Sequence, residues 1–254
     1  MKTIVETDQV SKTFFLGKTK VHALTDVSIK AFEGEFLAIA GPSGSGKTTL
    51  LNLIGCIDQP TKGVIKIDDK IVTGLSSNRL ADIRTAKLSF IFQTFNLIPV
   101  LSACENVEYP LLKTIKNKKE RLDRVHGSLK SVGLENYTAH RPDELSGGQR
   151  QRVAIARALV TEPRIILADE PTANLDQKTG KDILNIMKTI NEESNTLFIF
   201  STHDPKVMQM ASRIIRITDG CIEDYNHFDR RSGKKKRFAS EYIVRNKGRR
   251  NMDR

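Results

Sequence analysis

The chain has 254 residues, 39% of them hydrophobic and 28% charged, which is an ordinary globular composition and is long enough for one large domain or two small ones. No run approaches the ~18 consecutive apolar residues of a membrane-spanning helix, and the charged N-terminus lacks a signal peptide's apolar segment, so we expect neither a spanning helix nor secretion. The net charge is +11, and residues 230–254 carry +9 of it, with 11 Lys or Arg against 2 Asp or Glu. Because the rest of the chain is nearly neutral, it lacks the basic surface of a nucleic-acid-binding domain, which argues against nucleic acid as a partner.

Apolar runs typical of buried strands recur along the chain, and they lie at 32–41, 64–68, 88–93, 164–169 and 196–201. Between them, residues 46–57 and 178–194 show the pattern of helices. Further along, Asp219-Gly220 predicts the turn of a closing hairpin over 213–224. Because strands and helices alternate, we predict an α/β fold with a largely parallel sheet.

Helical patterns replace strands from about residue 97 to 160, and the segment 111–134 within this stretch is rich in charge. We predict that this stretch forms a helical subdomain inserted into an α/β domain that spans residues 1–229. Residues 230–254 contain few apolar side chains, so they are predicted to form a disordered basic tail.

The three cysteines, Cys56, Cys104 and Cys221, are far apart and form no CxxC pair. Their odd number and wide spacing argue against a disulfide framework and against a zinc site. The sequence therefore favours a reducing compartment such as the cytosol.

Residues 41–48, GPSGSGKT, fit the phosphate-binding pattern GxxxxGK[ST] between a predicted strand and a predicted helix. Backbone amides of the loop and the N-terminus of the helix would bind phosphate. Lys47 would reach the β- and γ-phosphates, Thr48 would bind Mg²⁺, and Thr49 would either touch the α-phosphate or cap the helix. The nucleotide-binding residues predicted here are Gly41, Pro42, Ser43, Gly44, Ser45, Gly46, Lys47, Thr48 and Thr49.

The apolar run at 164–169 ends in two carboxylates, Asp169 and Glu170. Asp169 is placed to hold Mg²⁺ through water. Glu170 lies one residue further out, where a carboxylate can accept a proton from an attacking water. The alternative for Glu170 is an acid at a helix entry before Pro171.

A second glycine-rich loop, LSGGQ at 145–149, precedes a helical pattern but contains no lysine. Its backbone donors and helix dipole suit an anion that Lys47 and Mg²⁺ have already largely neutralised. The loop lies in the helical insert, away from the first loop in sequence. We therefore predict that two copies face each other head to tail, each closing its second loop over the γ-phosphate held by the other.

The order of these motifs over residues 1 to 225 resembles that of the ATP-binding cassette (ABC) family. The six motifs are the loop at 41–48, Gln93 in FIFQ, LSGGQ at 145–149, RIILADE at 164–170, ANLD at 173–176 and His203 in STHD. Stretches such as GPSGSGKTTLLNLIGCID and GGQRQRVAIARAL resemble the LolD/MacB-type subgroup, which pairs with separate FtsX-like permeases. The resemblance implies a P-loop NTPase (RecA-like) core, an antiparallel β subdomain and the inserted helical subdomain.

The resemblance also assigns roles in ATP hydrolysis. Glu170 would be the general base, and His203 would contact the γ-phosphate and orient Glu170 and the water. Gln93 would approach Mg²⁺ or the water when the site is assembled. With Lys47 these residues form the implied catalytic set, and the implied ligands of Mg²⁺ are Thr48, Gln93 and Asp169.

Further positions would contact nucleotide across or beside the dimer interface. The residues implied to bind the γ-phosphate of the partner copy are Ser146, Gly147 and Gly148, and the adjacent Gln149 is also implied to bind nucleotide. Asp176 would cross the interface. Phe14 occupies the place of an aromatic residue that stacks on adenine, although the neighbouring Phe15 leaves a one-residue ambiguity.

Several of these residues have structural alternatives. Asp176 suits the N-cap of the following helix, a role that can coexist with an interface role. His203 and Gln93 could instead be polar residues that end strands. Arg150 and Arg152 are expected on a solvated helix face.

The resemblance implies a peripheral ATPase subunit at the cytoplasmic face of a membrane, with a separate permease docked near Gln93 and the segment 94–107. That permease would export lipoprotein, drug or peptide, or transmit force across the envelope. A competing hypothesis is a non-transport ATPase that acts on nucleic acid or the ribosome through its basic tail. The tail itself would be either a solvated extension or a contact to anionic lipid.

Overall fold

The computed structural model describes the backbone of residues 1–229 and 234–237, and side chains up to residue 223. The strands of this part are β1 (Thr3–Leu16), β2 (Thr19–Phe32), β3 (Phe36–Ala40), β4 (Lys62–Ile67), β5 (Lys70–Ile71), β6 (Leu88–Ile91), β7 (Ile165–Asp169), β8 (Leu197–Thr202), β9 (Arg213–Thr218), β10 (Cys221–Asp229) and β11 (Lys234–Arg237). The α-helices are α1 (Lys47–Ile54), α2 (Ser77–Lys87), α3 (Ala103–Glu108), α4 (Lys118–Ser131), α5 (Gly147–Leu159), α6 (Gln177–Ser194) and α7 (Pro205–Met210). Short 3-10 helices lie at Tyr109–Leu111, Glu135–Tyr137 and Pro142–Glu144.

A seven-stranded sheet in the order β11-β10-β9-β3-β8-β7-β6 forms the centre of the fold. Strands β6 to β9 and β3 pair in parallel, and β10 and β11 pair antiparallel at one edge. Both faces of the parallel part are buried. Phe36, Phe198 and Phe200 stack on one face with ring centroids 4.3 to 5.8 Å apart, and Leu37 and Ile199 pack on the other. Burial on both faces explains the continuous apolar runs in the sequence.

A smaller antiparallel sheet in the order β2-β1-β4-β5 packs against α1. Leu24 and Val27 of β2 share a core with Leu50 and Ile54 of α1. The long hairpin of β1 and β2 contains several register shifts, so its alternation of apolar and polar residues is broken. This sheet holds one side of the loop that precedes α1.

Helices α3, α4 and α5 pack together through Val107, Val125, Leu129 and Val153, which are all buried. The fully buried side chain of Asn106 ties the preceding loop to this layer, since its amide hydrogen-bonds the carbonyl groups of residues 98, 101 and 102. Together with the two sheets, this layer confirms the predicted α/β class with an antiparallel sheet and inserted helices. Over the described residues, no helix combines the length and apolarity needed to cross a membrane.

The structure differs from the sequence prediction at several element ends. Helix α1 begins at Lys47 because Gly46 has a φ of 101°, and it ends before Cys56, whose φ is 57°. Helix α2 was not predicted from the sequence. Leu80 is its one buried hydrophobic residue, so the helix lacks the repeating apolar pattern on which such a prediction depends. Within the predicted basic tail, Lys234–Arg237 forms β11 and pairs antiparallel with β10, whose open edge offers unpaired backbone groups. The rest of the predicted disorder over 230–254 lies outside the described residues.

Candidate active site

Four predicted site segments follow the carboxyl ends of adjacent parallel strands. The first glycine loop follows β3, His203 follows β8, Asp169 ends β7, and Gln93 lies two residues after β6. Because these strands are neighbours and run in the same direction, their carboxyl ends meet at one edge of the sheet. Ligands of open α/β sheets bind in the crevice at such an edge.

The loop of residues 41–46 joins β3 to α1, as predicted. Gly46 closes it in the left-handed conformation, with a φ of 101° that favours glycine. The ammonium group of Lys47 turns back into the loop, where it donates to the carbonyl oxygens of Gly41 at 2.9 Å and Pro42 at 2.8 Å. Lys47 is only 5% exposed. The loop is therefore organised around its own lysine.

Other residues of this loop differ in exposure. Pro42, Ser43 and Gly44 are exposed at its outer turn, whereas Ser45 is buried. Within the described residues, the Ser45 hydroxyl has no hydrogen-bond partner. Thr49 is half-buried in the first turn of α1, between exposed Thr48 and buried Leu50. The outer turn and the first turn of α1 thus offer accessible backbone amides and hydroxyl groups.

Thr48 and Asp169 come together as the sequence predicted. The Thr48 hydroxyl donates to Oδ1 of Asp169 at 3.1 Å. The buried Ser201 hydroxyl of β8 donates to the same oxygen and fixes the carboxylate. Sequence reasoning missed Ser201, although it is the first residue of the STHD motif. One carboxylate and one hydroxyl beside a phosphate loop suit Mg²⁺, which prefers a few oxygen ligands plus phosphate and water.

Glu170 and His203 also come together. Nδ1 of His203 lies 2.9 Å from Oε1 of Glu170. Glu170 has a φ of 44°, an uncommon value for a residue other than glycine, and its amide donates to the carbonyl oxygen of Ser201 at 3.1 Å. This backbone turns the Glu170 side chain out of β7 toward the residue after β8. The chemistry that the pair supports is general-base catalysis by an oriented carboxylate.

Gln93 is exposed beyond the end of β6. Its carbonyl oxygen accepts a hydrogen bond from the Asn174 side-chain amide at 3.0 Å. Asn174 belongs to the ANLD motif, where sequence reasoning had singled out Asp176 instead. The backbone of Gln93 is thus tied to the segment that follows Glu170.

The second glycine loop opens α5, as predicted. Ser146 and Gln149 form a reciprocal cap, in which the Ser146 hydroxyl accepts from the Gln149 amide at 3.3 Å and the Ser146 amide donates to Oε1 of Gln149 at 2.8 Å. Gly148 lies against α6, because a Cβ placed there would come within 2.4 Å of the Thr179 methyl carbon. Gly147 faces the side chain of Leu175, with 3.6 Å between such a Cβ and Cδ2. The starts of α5 and α6 are therefore packed together.

Asp176 caps α6, which is one of the two roles that the sequence allowed. Its carboxylate accepts from the amides of Lys178 and Thr179, both at 3.0 Å. Hydrogen bonds from the hydroxyl and amide of Thr179, and from the amide of Lys178, lower the pKa of Asp176 from its usual value. The predicted interface role of Asp176 concerns a second copy and stays a prediction.

Phe14 and Phe15 lie on opposite faces of β1. The Lys12 ammonium group lies 4.9 Å from the centroid of the Phe14 ring, and Lys12 pairs with Leu24, which packs beside Gly46. The Phe15 ring instead lies under Lys20 of β2, with 5.9 Å between the ammonium group and the ring centroid. Phe14 thus shares the strand face that leads to the first glycine loop, and Phe15 does not.

The expectation that Arg150 and Arg152 line a solvated helix face is wrong. Both side chains are half-buried. The Arg150 guanidinium lies 5.5 Å from the ring centroid of Phe95, and Arg152 donates to the carbonyl oxygen of Val132 at 2.8 Å. Long arginine side chains bury their stems against neighbouring elements, which a charge pattern alone does not reveal.

A lysine-bearing glycine loop, a strand-end aspartate beside its helix and a following glutamate define the P-loop class of nucleoside triphosphatases. A family model described as "ABC transporter" matches residues 24–173. The chain belongs to this family, the ATP-binding cassette proteins, and is an ATPase.

Named relatives agree. An uncharacterized ABC transporter ATP-binding protein of Thermotoga maritima is 48% identical over 223 residues, covering 88% of this chain and 95% of that protein. The macrolide export ATP-binding/permease protein MacB of Mannheimia succiniciproducens is 46% identical over 221 residues, or 87% of this chain and 34% of MacB. A dimeric structure of the cassette MJ0796, from Methanocaldococcus jannaschii, is described as a post-hydrolysis state bound to ADP and Pi. It aligns with a TM-score of 0.83 and 45% identity, covering 89% of this chain and 99% of that chain.

Proposed function

We propose that the chain is the ATP-hydrolysing subunit of a transporter, in which two copies enclose ATP head to tail and drive a separate membrane permease. The observation that carries the proposal is the contact of His203 with Glu170, directly beside the pair formed by Thr48 and Asp169. A base and a metal-side carboxylate thus lie together next to the phosphate loop. The glycine loop at Ser146, which opens α5, would be a second phosphate-binding element.

At each site, Lys47 would leave its carbonyl partners and bind the β- and γ-phosphates of ATP. Thr48, Asp169 and Gln93 would hold Mg²⁺, which neutralises phosphate charge when bound. Glu170 would take a proton from the attacking water, and His203 would keep the carboxylate oriented. Catalysis would come mainly from positioning and electrostatics, as is general for phosphoryl transfer.

The proposed dimer explains why the second glycine loop has backbone hydrogen-bond donors but no lysine. Its amides would bind the γ-phosphate held by the partner copy, and loss of that phosphate on hydrolysis would remove the attraction and open the dimer. The structure of MJ0796, at 45% identity, is described as dimeric and bound to ADP and Pi, which supports a dimer of this chain. A two-fold dimer of this kind contains two equivalent composite sites.

A permease is expected to dock near Gln93, and an open groove of about 390 Å³ lies beside the neighbouring residues Phe92 and Asn96. Its walls come from α2, from β6 and the segment after it, from the 3-10 helix after α3 and from the end of α5. Side chains that line it include Arg84, Phe90, Phe92, Asn96, Tyr109 and Arg157. Tyr109 is 57% exposed, although it is aromatic. We propose that a cytoplasmic segment of the permease occupies this groove, which places the chain at the cytoplasmic face of the membrane.

The experiment is to tag the Glu170→Gln protein, add ATP, solubilise membranes gently and identify what copurifies. We expect a polytopic membrane protein. Tyr109→Glu in the same background should remove it without reducing ATP-driven dimerisation. Tyr137→Glu is the matched control, since Tyr137 is a partly exposed tyrosine (36%) in another 3-10 helix and is not among the groove residues.

The second candidate is an ATPase that acts on nucleic acid or the ribosome, which the +9 charge of residues 230–254 favours. Copurification of ribosomes or nucleic acid, with no membrane protein, would establish that candidate and refute the transport proposal. We favour the permease because the macrolide exporter MacB joins a permease to a segment that is 46% identical to this chain. The substrate that such a permease moves is set by the permease itself.

A further inference from the structure

Arg157 lies inside α5 but directs its guanidinium to the segment that follows Gln93. Nη1 donates to the carbonyl oxygen of Asn96 at 2.6 Å, and Nη2 donates to that of Phe95 at 2.9 Å. One planar guanidinium group therefore holds two consecutive carbonyl groups through two separate nitrogen atoms. A lysine would have to bind both carbonyl groups through one nitrogen, without the fixed spacing of the guanidinium fork.

The backbone that Arg157 holds is an unfavourable one. Phe95 has a φ of 62° and Asn96 a φ of 48°, so two successive residues other than glycine are left-handed. Each such residue costs free energy relative to a right-handed conformation and persists when its surroundings enforce it. Arg157 provides two of the bonds that enforce it.

A second arginine of the same helix contacts this segment. The Arg150 guanidinium lies over the Phe95 ring, and residues seven apart lie on one face of an α-helix. From the other side, Asn174 holds the carbonyl oxygen of Gln93. The backbone around Gln93 is therefore fixed at three carbonyl groups, those of Gln93, Phe95 and Asn96. Burial lowers the pKa of Arg157, yet arginine stays charged at all ordinary pH values.

We propose that Arg157 is a positioning residue for ATP hydrolysis: it clamps Phe95 and Asn96 and thereby fixes the place from which the Gln93 side chain reaches Mg²⁺ or the attacking water. This inference rests on the proposed role of Gln93. Because α5 begins with the second glycine loop, the clamp joins Gln93 of one site rigidly to the loop that serves the partner's site. Asn96 and Arg157 also line the groove beside Phe92, so an occupant of the groove contacts the clamp directly.

The test compares Arg157→Gln, Arg157→Lys and the matched control Arg152→Gln. Arg152 lies on the same helix and also donates to a backbone carbonyl, that of Val132, but this carbonyl ends α4. For each variant, kcat and KM for ATP, amide hydrogen exchange and Tm are measured. We expect Arg157→Gln to lower kcat by roughly 10- to 100-fold, the scale of a small misplacement of a catalytic group, with KM changed less than about 2-fold.

Amide exchange in the peptide over 93–97 should accelerate in Arg157→Gln and stay unchanged over 41–48. Arg152→Gln should lower Tm to a similar extent, accelerate exchange near 132 and keep the wild-type kcat. Arg157→Lys should give a kcat between those of the wild type and Arg157→Gln. If Arg157→Gln does not fold, Arg157→Lys alone tests the proposal. A wild-type kcat in Arg157→Lys or Arg157→Gln, or an equal loss of kcat in Arg152→Gln, would overturn the proposal.

Gln93→Ala, assayed in parallel, separates the two claims. Wild-type hydrolysis in Gln93→Ala would remove the proposed role of Gln93 and, with it, the basis of the clamp. Slow hydrolysis in Gln93→Ala with normal hydrolysis in the Arg157 variants would refute the clamp alone. Slow hydrolysis in both sets, at preserved KM, is the result that we expect.

Discussion

Nδ1 of His203 lies 2.9 Å from Oε1 of Glu170, so the residues that directly follow β7 and β8 are in contact. The strand register explains the contact, because Asp169, the last residue of β7, pairs with Ser201, and β8 ends only one residue later. Glu170 then turns sideways through its positive φ. The Glu170 carboxylate is therefore oriented both by its own backbone and by the His203 side chain.

Replacing Glu170 by glutamine should lower the rate of ATP hydrolysis by roughly 10²- to 10⁴-fold, the usual worth of a general base. The amide keeps the shape of the side chain but cannot accept the proton of the attacking water. ATP binding should persist, and size-exclusion chromatography should show a dimer that depends on ATP.

The control for this variant is Glu162→Gln. Glu162 is a second glutamate with positive φ (51°), and it lies in the middle of the connection between α5 and β7, outside the site. Its replacement should leave the rate unchanged. Hydrolysis at the normal rate in Glu170→Gln would show that another group is the base.

Gly148→Ala should destabilise the contact between the starts of α5 and α6. The added Cβ would come within 2.4 Å of the Thr179 methyl carbon, and such overpacking costs about 1–3 kcal/mol. Thermal unfolding measures the loss. Adding Thr179→Ser removes the methyl group and keeps the hydroxyl, so the double variant should recover most of the stability. If the two changes are simply additive, the close approach is not the cause.

We expect the thermal stability of the chain to depend on pH through Asp176. Its pKa is lower in the folded chain than its usual value, because it accepts hydrogen bonds from Thr179 and Lys178. A carboxylate with a lowered folded pKa adds stability that is complete above its unfolded value, about pH 4, and is lost as the pH falls through the folded pKa. The Tm advantage of the wild type over Asp176→Asn should therefore shrink from pH 6 to pH 3. Asparagine caps without titrating, so a constant Tm difference would contradict the prediction.

Removing residues 230–254 should leave the ATPase rate unchanged and weaken binding to anionic vesicles at low salt. The segment carries a net +9, and each Lys or Arg near an anionic surface contributes roughly 1 kcal/mol. Sedimentation with phosphatidylserine vesicles measures the binding, and vesicles of neutral lipid are the control. Equal binding of the full and shortened chains to the anionic vesicles would remove lipid as a partner of this segment.

The fold class and the positions of the main site motifs could be predicted from the sequence because each motif adjoins a recognisable element. Lys47 follows an apolar strand and opens a helix, and Asp169 ends another apolar strand. The hairpin turn at Asp219-Gly220 was also confirmed, since both residues have positive φ, at 48° and 75°. These are local signals, carried by a few adjacent residues.

Contacts between distant residues could not be predicted in the same way. Ser201 reaches Asp169 across 32 positions of sequence, Asn174 reaches Gln93 across 81, and Arg157 reaches Phe95 across 62. Each depends on strand register or on how a helix packs, which no spacing rule gives. The choice between Phe14 and its neighbour likewise depended on which strand face leads to Gly46.

The two carbonyl bonds of Lys47 have a consequence for which anions the protein accepts. An incoming anion must replace hydrogen bonds to Gly41 and Pro42, and the ammonium group is almost fully enclosed while they last. A small monovalent ion offers little in exchange, whereas a polyphosphate chain also meets the amides of the loop and the start of α1. The enclosure of the Lys47 ammonium group therefore favours anions long enough to contact the loop amides and the start of α1 at the same time.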